Sequence, residues 1–163
     1  MTKFFSFKHI VIMSLACLLF DACSSSEKDR ATQFLNEGIL LFQEGKYSEA
    51  IEKYQEGLKL DPQNANGYNL LGMAFRFRFH ETGTLEYREK EIESFKKAIE
   101  IDTKFWVAYK NISATLFYQG MKKEAVPYIE KALELQPNDP EKNLLMQWLE
   151  EGKKDQSAVL SPK

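Results

Sequence analysis

A set of Phe, Gly, Tyr, Ala and Pro positions returns along this chain every 34 residues, and no other feature restricts its fold as much. Phe34, Gly38, Gly45, Tyr47, Ala50, Tyr54, Leu58 and Pro62 form one unit. A step of 34 takes Phe34 to Tyr68 and Gly38 to Gly72. The offset then widens to 41, so that Tyr54 maps to Phe95, Gly57 to Ala98, Leu60 to Ile101 and Asp61 to Asp102. Another 34 residues reach Ile129, Ala132, Leu135 and Gln136. Across the two steps Gly45 returns as Gly120, Ala50 as Ala125 and Pro62 as Pro137. A period of this size marks stacked supersecondary units, none of which buries its apolar face without its neighbours.

Each unit reads as a pair of helices. Tyr47, Ala50, Ile51, Tyr54 and Leu58 recur at spacings of three and four, which is one apolar stripe of a helix. Gly38 and Gly72 stand where the first helix of a pair is crossed closely by the second, and Ser113 takes that place in the third unit. Gly45 and Gly120 suit the left-handed residue that ends a helix. Pro62 and Pro137 stop the second helix. Helices are expected over about 31–44, 47–60, 66–80, 85–101, 106–119 and 122–135. A seventh is expected over about 140–151, with Leu144, Leu145, Trp148 and Leu149 on one face. A terminal helix with a polar outer side closes the end of a stack. Residues 153–163 have little to pack and are expected to form a loose tail.

The segment from Phe34 to Gly38, then Gly45 to Ile51, then Tyr54, Leu58 and Asp61-Pro62, resembles the tetratricopeptide-repeat (TPR) consensus. The expected fold is therefore all-α, a TPR solenoid of three helix-turn-helix repeats plus a C-terminal capping helix. The domain spans 31–152, divided into 31–64, 65–105, 106–139 and the capping helix 140–152. The resemblance implies a binding scaffold whose ligands lie on the concave side, lined by the first helix of each repeat. The candidate groove residues are Leu35, Ile39 and Phe42 in repeat one, Asn69, Met73, Arg76 and Phe77 in repeat two, and Lys110, Ala114, Phe117 and Tyr118 in repeat three. Leu35, Ile39 and Phe42 form a second apolar stripe, about 100° from the first. A helix with an ordinary wet face would be polar there. The face reads as apolar and aromatic with Arg76 and Lys110 as cationic points. It suits a protein or peptide partner, an extended or helical segment with apolar anchors and an acidic group. The alternatives are cover by the chain's own N-terminal segment or by a second copy, a homo-oligomer. TPR co-chaperones that grip the C-terminal carboxylate of heat-shock proteins use Lys and Asn in repeat one, Asn in repeat two, and Lys and Arg in repeat three. The matching positions hold Leu35, Ile39, Leu70, Val107 and Asn111, so that clamp is not expected.

Repeat two carries seven extra residues between Phe75 and Ile92, and Glu91 stands where a small residue is usual. One added turn in each helix accounts for the length. The hairpin then projects with its turn near Thr82-Gly83, Thr84 capping the second helix and Glu86 in its first turn. The tip is either a partner contact, or Phe77 and Phe79 pack under Leu85 and Tyr87.

The N-terminus reads as an address. Lys3 and Lys8 precede an apolar run from Ile10 to Phe20, the layout of a secretory signal, short for a membrane span. An uncleaved anchor is the alternative. The end of the run, Leu18 to Cys23, resembles the lipobox of bacterial lipoproteins. Ala22 and Cys23 fit it, and Asp21 departs from it. Residues 1–22 are then a signal peptide, Cys23 the lipidation site, and 23–30 a polar tether. Several acyl chains give stable membrane attachment. The resemblance implies a bacterial TPR lipoprotein of the cell envelope, and Ser24 favours the outer membrane, facing the periplasm. Related possibilities are a subunit of an outer-membrane assembly or secretion machine, and a self-associating structural protein.

The net charge of −2 gives no basic excess for nucleic acid. The only cysteines are Cys17 and Cys23 and the only histidines His9 and His80, which leaves no zinc set and no disulfide beyond residue 23. No phosphate-cradling loop or nucleophile elbow is present. The chain is thus read as no enzyme, with no catalytic residue, no metal, no cofactor and no small-molecule substrate.

Overall fold

The computed structural model describes residues 26–160. The signal peptide, Cys23 and residues 24 and 25 of the tether lie outside the described residues. Within them are seven helices and no strand. Helix α1 covers 26–43, α2 Tyr47–Leu60, α3 Ala65–Thr82, α4 Leu85–Ile101, α5 Trp106–Tyr118, α6 Lys122–Leu135 and α7 Lys142–Leu160.

Glycine sets the turns. Gly45 and Gly120 both have φ of 78°. Around each, the glycine N–H donates to a carbonyl three residues back and the next N–H to one five back: Gly45 to Phe42 with Lys46 to Leu41, and Gly120 to Phe117 with Met121 to Leu116. These are paired Schellman closures, which satisfy helix-end carbonyls that would otherwise be orphaned. Gly83, at φ 68°, ends α3 with a single bond to the Phe79 carbonyl. The seven extra residues make α3 18 and α4 17 residues long, against 14 in α2 and 13 in α5. Thr84 occupies the N-cap of α4, but its hydroxyl makes no cap bond; its N–H donates instead to the Thr82 hydroxyl.

Both end helices differ from expectation. Residues 26–30, assigned to the tether, already belong to α1. Helix α7 runs to Leu160, through most of the segment expected as a loose tail. Gly152 sits buried inside it, where a Cβ would lie 2.6 Å from the Lys122 carbonyl oxygen. That glycine serves close approach of α7 to α6 and does not stop the helix. On α7, Leu145 and Trp148 are buried and Leu149 is partly covered, but Leu144 faces outward instead of joining them.

The apolar interior has two parts. One joins Leu35, Ala50, Ile51, Tyr54, Leu58, Leu71, Ala74 and Phe75. The other joins Phe95, Ile112, Leu116, Ala125, Ile129, Leu145 and Trp148. Fully burying side chains of this size stabilises by about 1.5–3 kcal/mol each, before chain entropy is set against it. Within repeats, small residues let the helices touch: Gly38 lies against Tyr54, and Gly72 against Phe95.

Candidate functional site

The first helices of successive repeats lie side by side and form one layer. Phe42 of α1 meets Phe77 of α3, with ring centroids 5.1 Å apart. Asn111 of α5 donates from Nδ2 to Asn69 Oδ1 of α3 at 2.8 Å. Phe117 of α5 stacks on Trp148 of α7 at 4.7 Å. The candidate groove residues fall along this layer, but they do not share one environment.

Leu35 is a core residue. It is 7% exposed and is wedged against Gly57 and Gly67, where a Cβ on either glycine would meet its side chain at 3.1–3.3 Å. Ile39 and Phe42 are partly buried beside the first core. Asn69 is buried, its oxygen taken by Asn111 and its amide set toward the Met73 sulfur at 3.9 Å. Met73 leans on the second core. Phe77 remains half-exposed and makes an aromatic cluster with Phe42 and Tyr47, its centroid 4.9 Å from that of Tyr47. Tyr118 is 75% exposed and stands edge-on to Trp148 at 5.3 Å. Two aromatic clusters thus flank the middle of the layer.

The two expected cationic points are both engaged. Lys110 Nζ lies 3.2 Å from Asp139 and 3.2 Å from Glu141, and over the Trp106 ring at 5.1 Å. Asp139 is itself buried, so Lys110 ties α5 to the start of α7 and is no isolated charge. Arg76 Nε donates to Glu91 Oε1 at 2.7 Å, and its Nη2 to the Asn111 carbonyl at 2.8 Å and the Thr115 hydroxyl at 2.9 Å. Glu91 is fully buried, and its other oxygen accepts from Arg88 Nη1 at 2.7 Å. The Thr115 hydroxyl also donates to Glu91 Oε1. A buried carboxylate is tolerated only when paired and hydrogen-bonded, and here both oxygens are.

Arg88, Glu91 and Thr115 were absent from the sequence-derived site. Glu91 at a small-residue position was the one signal for them. Together with Arg76, His80, Ala114 and Tyr118, Arg88 and Thr115 line a cavity of about 460 Å³ between α3, α4 and α5. A larger hollow of about 820 Å³ lies elsewhere, among Tyr68, Phe75, Lys90 and Lys97, and none of the groove residues lines it. The insertion departs from the expectation that Phe77 and Phe79 pack under Leu85 and Tyr87. Phe77 turns toward repeat one. Phe75, not Phe77, stacks on Tyr87 at 6.1 Å, the Arg88 guanidinium covers Phe79 at 3.9 Å, and Leu85 is 70% exposed. Among the described residues no three His, Cys, Asp or Glu side chains are grouped to hold a metal ion.

Antiparallel helix pairs, stacked through their first helices and closed by a terminal helix, define a helical-repeat solenoid. Two stretches match tetratricopeptide-repeat models, residues 38–75 a TPR repeat model and 106–139 a second tetratricopeptide-repeat model. The chain is 28% identical over 116 residues to Small glutamine-rich tetratricopeptide repeat-containing protein 2 of Mycosarcoma maydis, covering 71% of this chain and 31% of that protein. It is 25% identical over 115 residues to the STIP1 homolog of Dictyostelium discoideum, covering 71% and 19%. The chain therefore spans under a third of the length of these curated relatives. Among solved structures it resembles the first TPR of Spaghetti (RPAP3) bound to an HSP90 peptide, with a TM-score of 0.64, 27% identity, and 82% of this chain and 96% of that one covered. The Yersinia enterocolitica type III secretion translocator chaperone SycD shares the fold, with a TM-score of 0.66 at 22% identity, covering 79% and 87%.

Proposed function

We propose that this chain is a lipid-anchored scaffold of a bacterial cell envelope that binds a protein or peptide segment along its first-helix layer. The observation that carries the binding is the exposed aromatic band, with Phe77 at 38% and Tyr118 at 75% exposure on either side of an arginine-lined cavity. Aromatic and arginine side chains are the types enriched at interfaces. The first TPR of Spaghetti (RPAP3), 27% identical to this chain, is bound to an HSP90 peptide, which supports a peptide partner. The terminal-carboxylate clamp of co-chaperones is not carried over. Its five positions here are Leu35, Ile39, Leu70, Val107 and Asn111, which supply no cation.

The test compares captures from detergent-solubilised membranes by the wild-type chain and by a Phe77→Ala/Tyr118→Ala variant. Both side chains are exposed enough to be removed without emptying the core. A partner retained by the wild type and lost by the variant supports the reading. Identical captures overturn it. If light scattering instead shows a dimer that the double variant abolishes, the band serves self-association. Recovery of a complete assembly or secretion complex would make the chain a machine subunit.

The anchor rests on Lys3, Lys8, the apolar run and Ala22-Cys23. Among the described residues no helix is long and apolar enough to cross a membrane. Cells fed a fatty-acid probe should label the wild-type chain and leave a Cys23→Ser variant unlabelled. Label that persists without Cys23 removes the lipoprotein reading, and with it the outer-membrane placement drawn from Ser24.

A further inference from the structure

We infer that the cavity between α3, α4 and α5 receives the carboxylate of an internal acidic residue in the bound segment; this rests on the peptide-face reading above. Three charged side chains meet there: Glu91 supplies one negative charge, and Arg76 and Arg88 two positive ones. One positive charge is left uncompensated in a recess where the arginine side chains are only 21% and 15% exposed. All of Glu91's bonds go inward, to Arg76 Nε, Arg88 Nη1 and the Thr115 hydroxyl. Arg88 Nε is buried without a hydrogen-bond partner, and both arginines line the cavity. Glu91 thus fixes two guanidinium groups, one with an N–H donor to spare, a fixed arrangement of the kind that favours carboxylate binding. His80 completes the rim, and the small Ala114 leaves the space open.

Charge and surroundings narrow the ligand. A single uncompensated positive charge matches a carboxylate better than a phosphate group, which carries about −1.5 to −2. Aromatic surface continues on both sides of the recess, through Phe77 toward α1 and through Tyr118 and Phe117 toward α7. A chain that lies across both must pass over the cavity, so the group that enters it is a side chain and not a terminus. The recess is near the small end of ligand sites, which run from about 300 to 1,000 Å³, and accepts one such side chain with water. None of the five co-chaperone clamp positions lines it.

The experiment uses the full chain in detergent micelles and dye-labelled, end-capped pentapeptides followed by fluorescence anisotropy. The probes are Phe-Leu-Glu-Phe-Leu, its Gln counterpart, and the Gln sequence with a free C-terminal carboxylate. Inorganic phosphate serves as competitor. The Glu peptide should bind about tenfold more tightly than the capped Gln peptide, as one charge-assisted pair warrants. That advantage should shrink with added salt. It should vanish in Arg88→Gln, in which the two capped peptides should bind alike. If Arg88→Gln fails to fold, the salt dependence of the wild-type preference decides alone. Equal binding of the two capped peptides, with both lost in Tyr118→Ala, overturns the carboxylate site and leaves the peptide face standing. Preference for the free C-terminus, or displacement by phosphate at the concentration of peptide, overturns it in favour of a terminus or phosphate site. No binding by any peptide overturns the peptide face and this inference together.

Discussion

A Cβ on Gly72 would lie 2.7 Å from the Phe95 ring, closer than carbon atoms approach without something moving. Phe95 is fully buried, so its ring has nowhere to swing. Overpacking of this kind costs about 1–3 kcal/mol, and the better helix propensity of Ala returns about 1 kcal/mol of it. Gly72→Ala should therefore lower stability by about 1 kcal/mol or more, read as a lower urea midpoint with an unchanged slope. The same logic at Gly38 meets Tyr54, where the ring would be 2.5 Å away. Tyr54 carries a second consequence. Burial pushes its phenol up from 10 to about 12, so the folded chain keeps a proton that the unfolded chain has released. Its contribution is whole below pH 10 and is lost as pH climbs from 10 to 12, the window in which the unfolded state binds fewer protons. A Tyr54→Phe variant should lose less stability than the wild type across that window in alkaline melts.

At the scale of elements, α7 shows most clearly what closes the stack. Its Trp148 lies flat on Phe117 and edge-on to Tyr118, and Leu145 is buried beside it. Trp148→Ala should cost about 3–5 kcal/mol, the range for large aromatic truncations in cores. Loss of amide protection should appear first in α7 and α5 under hydrogen exchange. The bounds of α2, α4 and α6 are those expected from the residues alone, because an apolar stripe and a Pro or Asp stop mark each. The lengths of α1 and α7 were not legible. Glu27 to Arg30 and Lys153 to Asp155 have no apolar stripe, yet no breaker interrupts them, so the helices continue past the pattern that revealed them. Spacing puts Phe42, Phe77, Phe117 and Tyr118 on the first helices, where Phe77 and Tyr118 stay exposed and Phe42 and Phe117 pack on the two cores. The core position of Leu35 could not be read from spacing, because its neighbours Gly57 and Gly67 admit it to the core from two other helices. The polar middle was hidden for a related reason. Glu91 finds Arg76 15 residues earlier and Thr115 24 residues later, and periodicity says which face a residue takes, not which ion awaits it.

For the molecule as a whole, the decisive fact is that two apolar cores meet across a polar seam. Repeat one with α3 holds the first core, and Phe95 with α5, α6 and α7 holds the second. Between them run Arg76 to Asn111 and Thr115, Asn69 to Asn111, and Thr115 to Glu91. Stacked repeats unfold together only as far as their interfaces couple them. Glu91→Ala removes the acceptor of three donors and leaves two arginines unbalanced in the recess. Breaking a buried pair costs about 3–5 kcal/mol, and the residual exposure of both arginines puts this case at the lower end. The loss should fall on coupling more than on either core. Urea unfolding of Glu91→Ala should therefore broaden into two steps, with α5 and α6 exchanging amides before α2 does. A single sharp transition with the wild-type slope would mean that the cores are joined through apolar contact alone, and that the seam holds its arginines for the ligand rather than for the fold.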